Sequence, residues 1–182
     1  MHTTQQKIIP AISTMKEFEK FLETKDTYGI LMDFHIGLVE DAIKRAHEKK
    51  KKIILHLDLI KGLSSDESGC EYACQYLKAD GVISTKGKVV ETAKRNRKTA
   101  ILRLFLIDSK SLEKGLALCD AVQPDYMEIL PGLACSMIPY IKEKTKCPIM
   151  CGGLIRTRQQ MLACIEAGAF AVTISGKTKL EG

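Results

Sequence analysis

Eight short apolar runs separated by amphipathic stretches punctuate this chain from end to end, and that alternation constrains its fold more than any other feature. The runs cover 8–12, 29–33, 52–58, 81–84, 100–107, 126–130, 148–151 and 171–174. Each has strand length and is rich in Ile, Val and Leu, as expected of strands buried on both faces. The segments between them are helical in spacing. Thr14-Met-Lys-Glu17 is a capping box ahead of Met15, Phe18, Phe21 and Leu22 on one face. Val39, Ala42, Ile43 and Ala46 recur on the helical period, Thr157-Arg-Gln-Gln160 is a second capping box, and Gly168 sits where a helix-ending glycine belongs.

Strict alternation of strand and helix implies parallel pairing through right-handed crossovers. Eight such units close most naturally into an α/β fold of the compact (β/α)8 TIM type. The rival, an open doubly wound sheet, lacks support because no G-x-G-x-x-G follows the first run. Residues 175–182 are too few for a full eighth helix, so the last helix is expected to be truncated. The 182 residues read as a single domain, 1–182. No stretch reaches the length of a membrane span and no signal peptide opens the chain, which leads to an expectation of a cytoplasmic protein with no membrane partner. Seven scattered cysteines, none in a C-x-x-C pair, read as thiols in a reducing compartment.

In barrels of this kind chemistry collects where the strands end, and strand periodicity says which side chains point inward. Asp33 and His35 are expected to share a face on the second strand, and His56 and Asp58 on the third. Arg103 falls on the fifth strand and Glu128 on the sixth, where the two can pair, line a polar pocket for a hydroxylated ligand, or do both. The D-x-H and H-x-D elements are also a conceivable ligand set for a divalent ion, but no H-x-H or helical ligand pair accompanies them, and no metal is expected. Gly152-Gly153 after the seventh strand and Ser175-Gly176-Lys177 after the eighth occupy the loops that commonly form a phosphate cup. Thr85-Lys86-Gly87 brings the Lys86 ammonium to the same rim. No nucleophile elbow, catalytic triad order or P-loop is present, and no catalytic residue is assigned.

The ordered motifs make a resemblance specific. Asp33-Phe-His-Ile-Gly37, His56-Leu-Asp-Leu-Ile60, Gly81-Val-Ile-Ser-Thr-Lys86, Arg103-Leu-Phe-Leu-Ile-Asp-Ser109, Gln123-Pro-Asp-Tyr-Met-Glu-Ile-Leu-Pro-Gly132, Gly152-Gly-Leu-Ile155 and Ala171-Val-Thr-Ile-Ser175 follow one another between Ile9 and Leu180. In this the chain resembles the glycerol uptake operon antiterminator regulatory proteins. The resemblance implies a sensor with glycerol 3-phosphate as effector and no cofactor. It also implies binding to leader mRNA that prevents premature termination of transcription of glycerol-utilisation genes. Members often continue into a further terminal helix, from which this chain departs by stopping at Gly182.

No RNA-binding motif backs that implication, and aromatic residues are only 5% of the chain, too few to suggest a base-stacking surface. Charge is more suggestive. The net charge is +6, and lysines and arginines cluster ahead of strands: Lys49, Lys50, Lys51 and Lys52 before the third, and Lys94, Arg95, Arg97 and Lys98 before the fifth. Lys78 precedes the fourth strand, and Lys142, Lys144 and Lys146 the seventh. Cations at helix C-termini also complement the helix dipole, so the clusters have a structural reading beside the RNA one. Two other functions fit the barrel. One is an enzyme acting on a small phosphorylated metabolite, as a lyase, isomerase or metal-dependent phosphodiesterase. The other is a ligand sensor working through a protein partner.

Overall fold

The computed structural model describes residues 6–175. It is a closed barrel of parallel strands in the order β1-β2-β3-β4-β5-β6-β7-β8. These are Ile8–Ile12, Tyr28–Leu31, Lys52–His56, Gly81–Ser84, Thr99–Phe105, Tyr126–Leu130, Ile149–Gly152 and Ala171–Ser175. Among the described residues the helices are α1 Met15–Glu23, α2 Ile36–Glu48, α3 Glu67–Gln75, α4 Gly87–Arg95, α5 Ser109–Val122, α6 Ile138–Lys144 and α7 Arg158–Glu166. The barrel closes where β8 meets β1, with Ile9 opposite Thr173 and Ala11 opposite Ser175. The expected truncation of the last helix falls outside the described residues.

Two apolar layers hold this arrangement, and the alternation of strand side chains separates them. One set points into the barrel, with Ile9, Tyr28, Ile30, Ile54, Ile83, Ile101, Tyr126, Met150 and Ala171 in contact. The other set points outward onto the helices, where Ile53, Leu55, Val82, Leu102 and Met127 meet Phe18, Val39, Ile43 and Val89. Truncating one such isoleucine to alanine costs about 2–5 kcal/mol, because the packed surroundings cannot collapse into the void.

The helices start where their caps say. Thr14 accepts from Glu17 N while Glu17 bonds back, and Thr157 does the same with Gln160. Gly168, at φ +104, follows the C-cap Ala167 and lets the chain leave α7 in a conformation that disfavours a side chain. Strand ends differ from expectation at several places. β2 stops at Leu31 and β3 at His56, because Asp33 turns to φ +62 and Leu57–Leu59 form a 3-10 turn. β5 stops at Phe105, short of Ile107. These early endings reshape the rim.

Candidate ligand site at the barrel mouth

The mouth is built by residues two positions beyond the inward-facing core. His56 follows Ile54, Arg103 follows Ile101, Glu128 follows Tyr126, Gly152 follows Met150 and Thr173 follows Ala171. Strand alternation therefore places all five in the next layer, above an apolar floor. Register aligns them, with Arg103 opposite Glu128 and Gly152 opposite Thr173.

Glu128 is fully buried, and both of its oxygens are engaged. Oε2 accepts from Arg103 Nε at 2.6 Å and Oε1 accepts from Thr173 Oγ1 at 2.5 Å. A buried carboxylate is tolerated only when charge and hydrogen bonds are met in this way. No other hydrogen bond of the Arg103 guanidinium forms among the described residues. Its remaining N–H groups thus offer a planar fork to an incoming acceptor. Gly152 is required by packing, since a Cβ there would lie 2.3 Å from Thr173 Oγ1 and 2.7 Å from Glu128 Oε1.

His56 is the anomaly of the mouth. It is 2% exposed, and neither Nδ1 nor Nε2 has a hydrogen-bond partner among the described residues. Burial, reinforced by the nearby positive charge of Arg103 and only partly opposed by Asp58, pulls its pKa down from 6.5 to about 4. The ring is therefore neutral at pH 7, with one donor and one acceptor unmet. Most buried polar atoms are paired, so a ring with both nitrogens orphaned sets this point of the barrel mouth apart from the rest of the core.

The other expected pocket groups are already employed. Asp58 does not share an inward face with His56, because the 3-10 turn carries its carboxylate onto the end of β4. There it accepts from Ser65 Oγ and Ser84 Oγ, both at 2.5 Å, and from Thr85 N at 2.8 Å and Thr85 Oγ1 at 2.9 Å. Burial alone would raise its pKa, but these four donors outweigh burial and hold it below the usual carboxylate value. Asp33 and His35 are likewise off the strand. Asp33 is exposed, and His35 caps α2 by accepting from Gly37 N at 3.2 Å. Lys86 lies at the rim, but its ammonium donates to Ser65 O at 2.7 Å. Among the described residues no group of three or more His, Cys, Asp or Glu converges to hold a metal ion.

The loop after β7, one of the two expected to cup a phosphate, flanks this layer. Gly153, exposed at φ +75, and Leu154 at φ +60 carry the turn after β7, and Gly153 O accepts from Gly132 N at 2.9 Å, joining it to the loop after β6. Ser175 is the exposed last residue of β8, beside Ala11 of β1. Gly176 and Lys177 lie outside the described residues. Thr173, Ser65 and Ser84 were missed as parts of the rim. The two-residue step from Ala171 would have found Thr173, while nothing in the local pattern marks the two serines as partners of Asp58.

On the opposite face the basic clusters are uneven. Lys51 is 6% exposed, its ammonium donating to Thr24 O at 2.8 Å and Asp26 O at 2.7 Å over the Phe21 ring, so it is a structural residue and not a surface contact. Lys49 pairs with Glu23, while Lys50 and Lys52 are exposed, the latter over Tyr28. Lys94 and Arg95 belong to the last turn of α4, where Lys94 donates to Gln123 O and Arg95 pairs with Glu67. Lys94, Arg97 and Lys98 line a cleft of about 280 Å³ with Thr99 and Asp125.

Fold and mouth together define a parallel β/α barrel with a buried polar layer at the C-terminal ends of its strands and lysines and arginines clustered on the opposite face. Across residues 8–180 the chain matches the family described as glycerol-3-phosphate responsive antiterminators, and it belongs to that family. It is similar to the glycerol uptake operon antiterminator regulatory protein of Listeria monocytogenes, at 38% identity and a TM-score of 0.93 over 99% of this chain and 97% of that one. The antiterminator-related protein of Thermotoga maritima shares the fold at 24% identity and a TM-score of 0.80, covering 93% of this chain and 94% of that one. YgcP of Escherichia coli, an uncharacterised protein, is 26% identical over 93% of this chain and 88% of its own length. The family is one of regulators, not enzymes, although its barrel is one that many enzymes use. No helix among the described residues is long and apolar enough to cross a membrane.

Proposed function

We propose that this chain is a cytoplasmic regulator that binds glycerol 3-phosphate at the barrel mouth, without a cofactor. It then engages leader mRNA, through its basic face, to prevent premature termination in glycerol-utilisation genes. The observation that carries the effector site is His56, a buried neutral ring with both nitrogens unmet. A hydroxyl both donates and accepts, so one glycerol hydroxyl answers the ring, and the free Arg103 N–H groups supply further donors. The phosphate falls to the loops after β7 and β8, at Gly152, Gly153, Ser175, Gly176 and Lys177, where backbone N–H groups can face an anion.

Calorimetry with glycerol 3-phosphate, glycerol and inorganic phosphate in parallel tests this reading. Glycerol 3-phosphate should bind more tightly than either fragment and be recovered unchanged. Gly153→Asp should remove binding by placing a carboxylate against the phosphate, at a fold cost of about 1 kcal/mol for a side chain at positive φ. Steady conversion of glycerol 3-phosphate, or equal affinity for free phosphate, would overturn the assignment.

A further inference from the structure

Two tyrosines on α3 stack on each other at the basic end of the barrel. The rings of Tyr72 and Tyr76 lie 5.5 Å apart at an interplanar angle of 22°, and they are 41% and 73% exposed. Tyr76 is the most exposed aromatic side chain among the described residues. It is the C-cap of α3, and helix C-termini in this fold lie where the strands begin, on the face opposite the mouth.

The neighbourhood of the pair is polar and basic. The amide of Gln75 donates to Asn96 Oδ1 at 2.9 Å, drawing together the ends of α3 and α4. Exposed Lys78 and Arg97, both at positive φ, form the turns that leave those two ends. Arg97 also lines the cleft with Lys94 and Lys98. Nearby acidic groups are largely engaged. Glu67 pairs with Arg95 at 3.6 Å, and Asp80 Oδ2 meets His47 Nε2 at 2.8 Å and accepts from Ile53 N at 2.9 Å. Asp125 in the cleft accepts from Ala100 N at 2.8 Å, while Glu71 is exposed.

We infer that Tyr76, backed by Tyr72, is a stacking platform for an unpaired base of single-stranded RNA, with Lys78 and Arg97 holding the flanking phosphates. Single-stranded RNA is bound by this combination, aromatic faces for the bases and cations for the backbone. Tyr72 supports the Tyr76 ring from one side, and the large exposure of Tyr76 leaves surface for a base. The inference rests on the RNA-binding reading of the basic face and moves its centre from the lysines before β3 to the ends of α3 and α4.

The test uses the whole chain with glycerol 3-phosphate present, titrated against a labelled oligoadenylate of about a dozen nucleotides and against an abasic strand of equal length. Tyr76→Ala, at an exposed position, should keep the native circular dichroism and weaken oligoadenylate binding about 5- to 100-fold, with an unchanged salt dependence because no charge is lost. It should leave binding of the abasic strand unaltered. Tyr76→Trp should keep the affinity and, as the sole tryptophan in the chain, lose fluorescence on binding. Arg97→Ala should instead flatten the salt dependence by roughly one counterion. Wild-type affinity in Tyr76→Ala, with RNA still bound, would overturn the platform alone. No RNA affinity in the wild-type chain at low salt would overturn both the platform and the reading on which it rests, and point to a protein partner.

Discussion

Replacing His56 by leucine should make this protein more stable while abolishing its response to effector. A buried polar group without a partner costs about 1–3 kcal/mol. Leucine is close to histidine in volume, so repacking in the mouth should cost less than about 1.5 kcal/mol. The expected net is a gain of about 1–2 kcal/mol near pH 7.5, or a few degrees in melting temperature for a chain of this size. Acidification should widen the gap. The folded protein protonates His56 only near pH 4, whereas the unfolded chain does so near 6.5. Between those values the unfolded chain holds the extra proton, so stability is present above pH 6.5 and is lost as pH falls toward 4. The wild-type chain should thus lose about 2 kcal/mol through this ring by pH 5 and about 3 by pH 4, and His56→Leu should lose none of it. Asp58, whose pKa is lowered, loses its contribution only below the ordinary carboxylate range and does not enter this window. Urea unfolding of both proteins near pH 7.5 and pH 5, with and without glycerol 3-phosphate, supplies every comparison. A variant less stable than wild type at both pH values, or an equal acid-induced loss in the two proteins, would mean the ring nitrogens are satisfied in the folded state and would refute the reasoning.

Breaking the buried pair at the mouth on one side, with Arg103→Met or Glu128→Gln, should cost about 3–5 kcal/mol in denaturant unfolding, whereas the double variant Arg103→Met/Glu128→Leu should lie closer to wild type than either single one. Lys51→Ala should cost on the order of 3 kcal/mol, since it strands the carbonyls of Thr24 and Asp26, while the exposed neighbour change Lys50→Ala should stay within about 0.5 kcal/mol of wild type. A charge reversal across Lys50, Lys51 and Lys52 together would therefore mix unfolding with any loss of RNA contact.

The barrel was legible because its signal is repeated. Each buried strand needs apolar side chains on both faces, and each helix needs one apolar stripe, so the alternation recurs in every unit, and an error at one end of an element does not disturb the next. Strand ends were less legible because they depend on single residues. Asp33 adopts φ +62, a conformation that Asp tolerates better than most residues, and nothing in Gly29-Ile-Leu-Met-Asp33 announces that the chain turns there and not two residues later.

The same argument explains which site residues could be read. Inward-facing positions follow the two-residue step only while the backbone stays extended. Arg103 and Glu128 lie within regular strands, so their pairing was visible from spacing. His56 is the last residue of β3, and Asp58, one step further, has left the strand, which is why one keeps an unmet ring at the mouth and the other becomes the knot between β3 and β4. Charge counting failed at Lys51 for a different reason. The C-terminal end of α1 leaves carbonyl oxygens without helical partners, and the Lys51 ammonium, lying over the Phe21 ring, reaches Thr24 O just beyond that helix. Composition is equally blind to local arrangement at α3. Aromatic content is low, yet Tyr72 and Tyr76, four residues apart on one exposed helical face, bring ring against ring, because their spacing and not their number sets that contact.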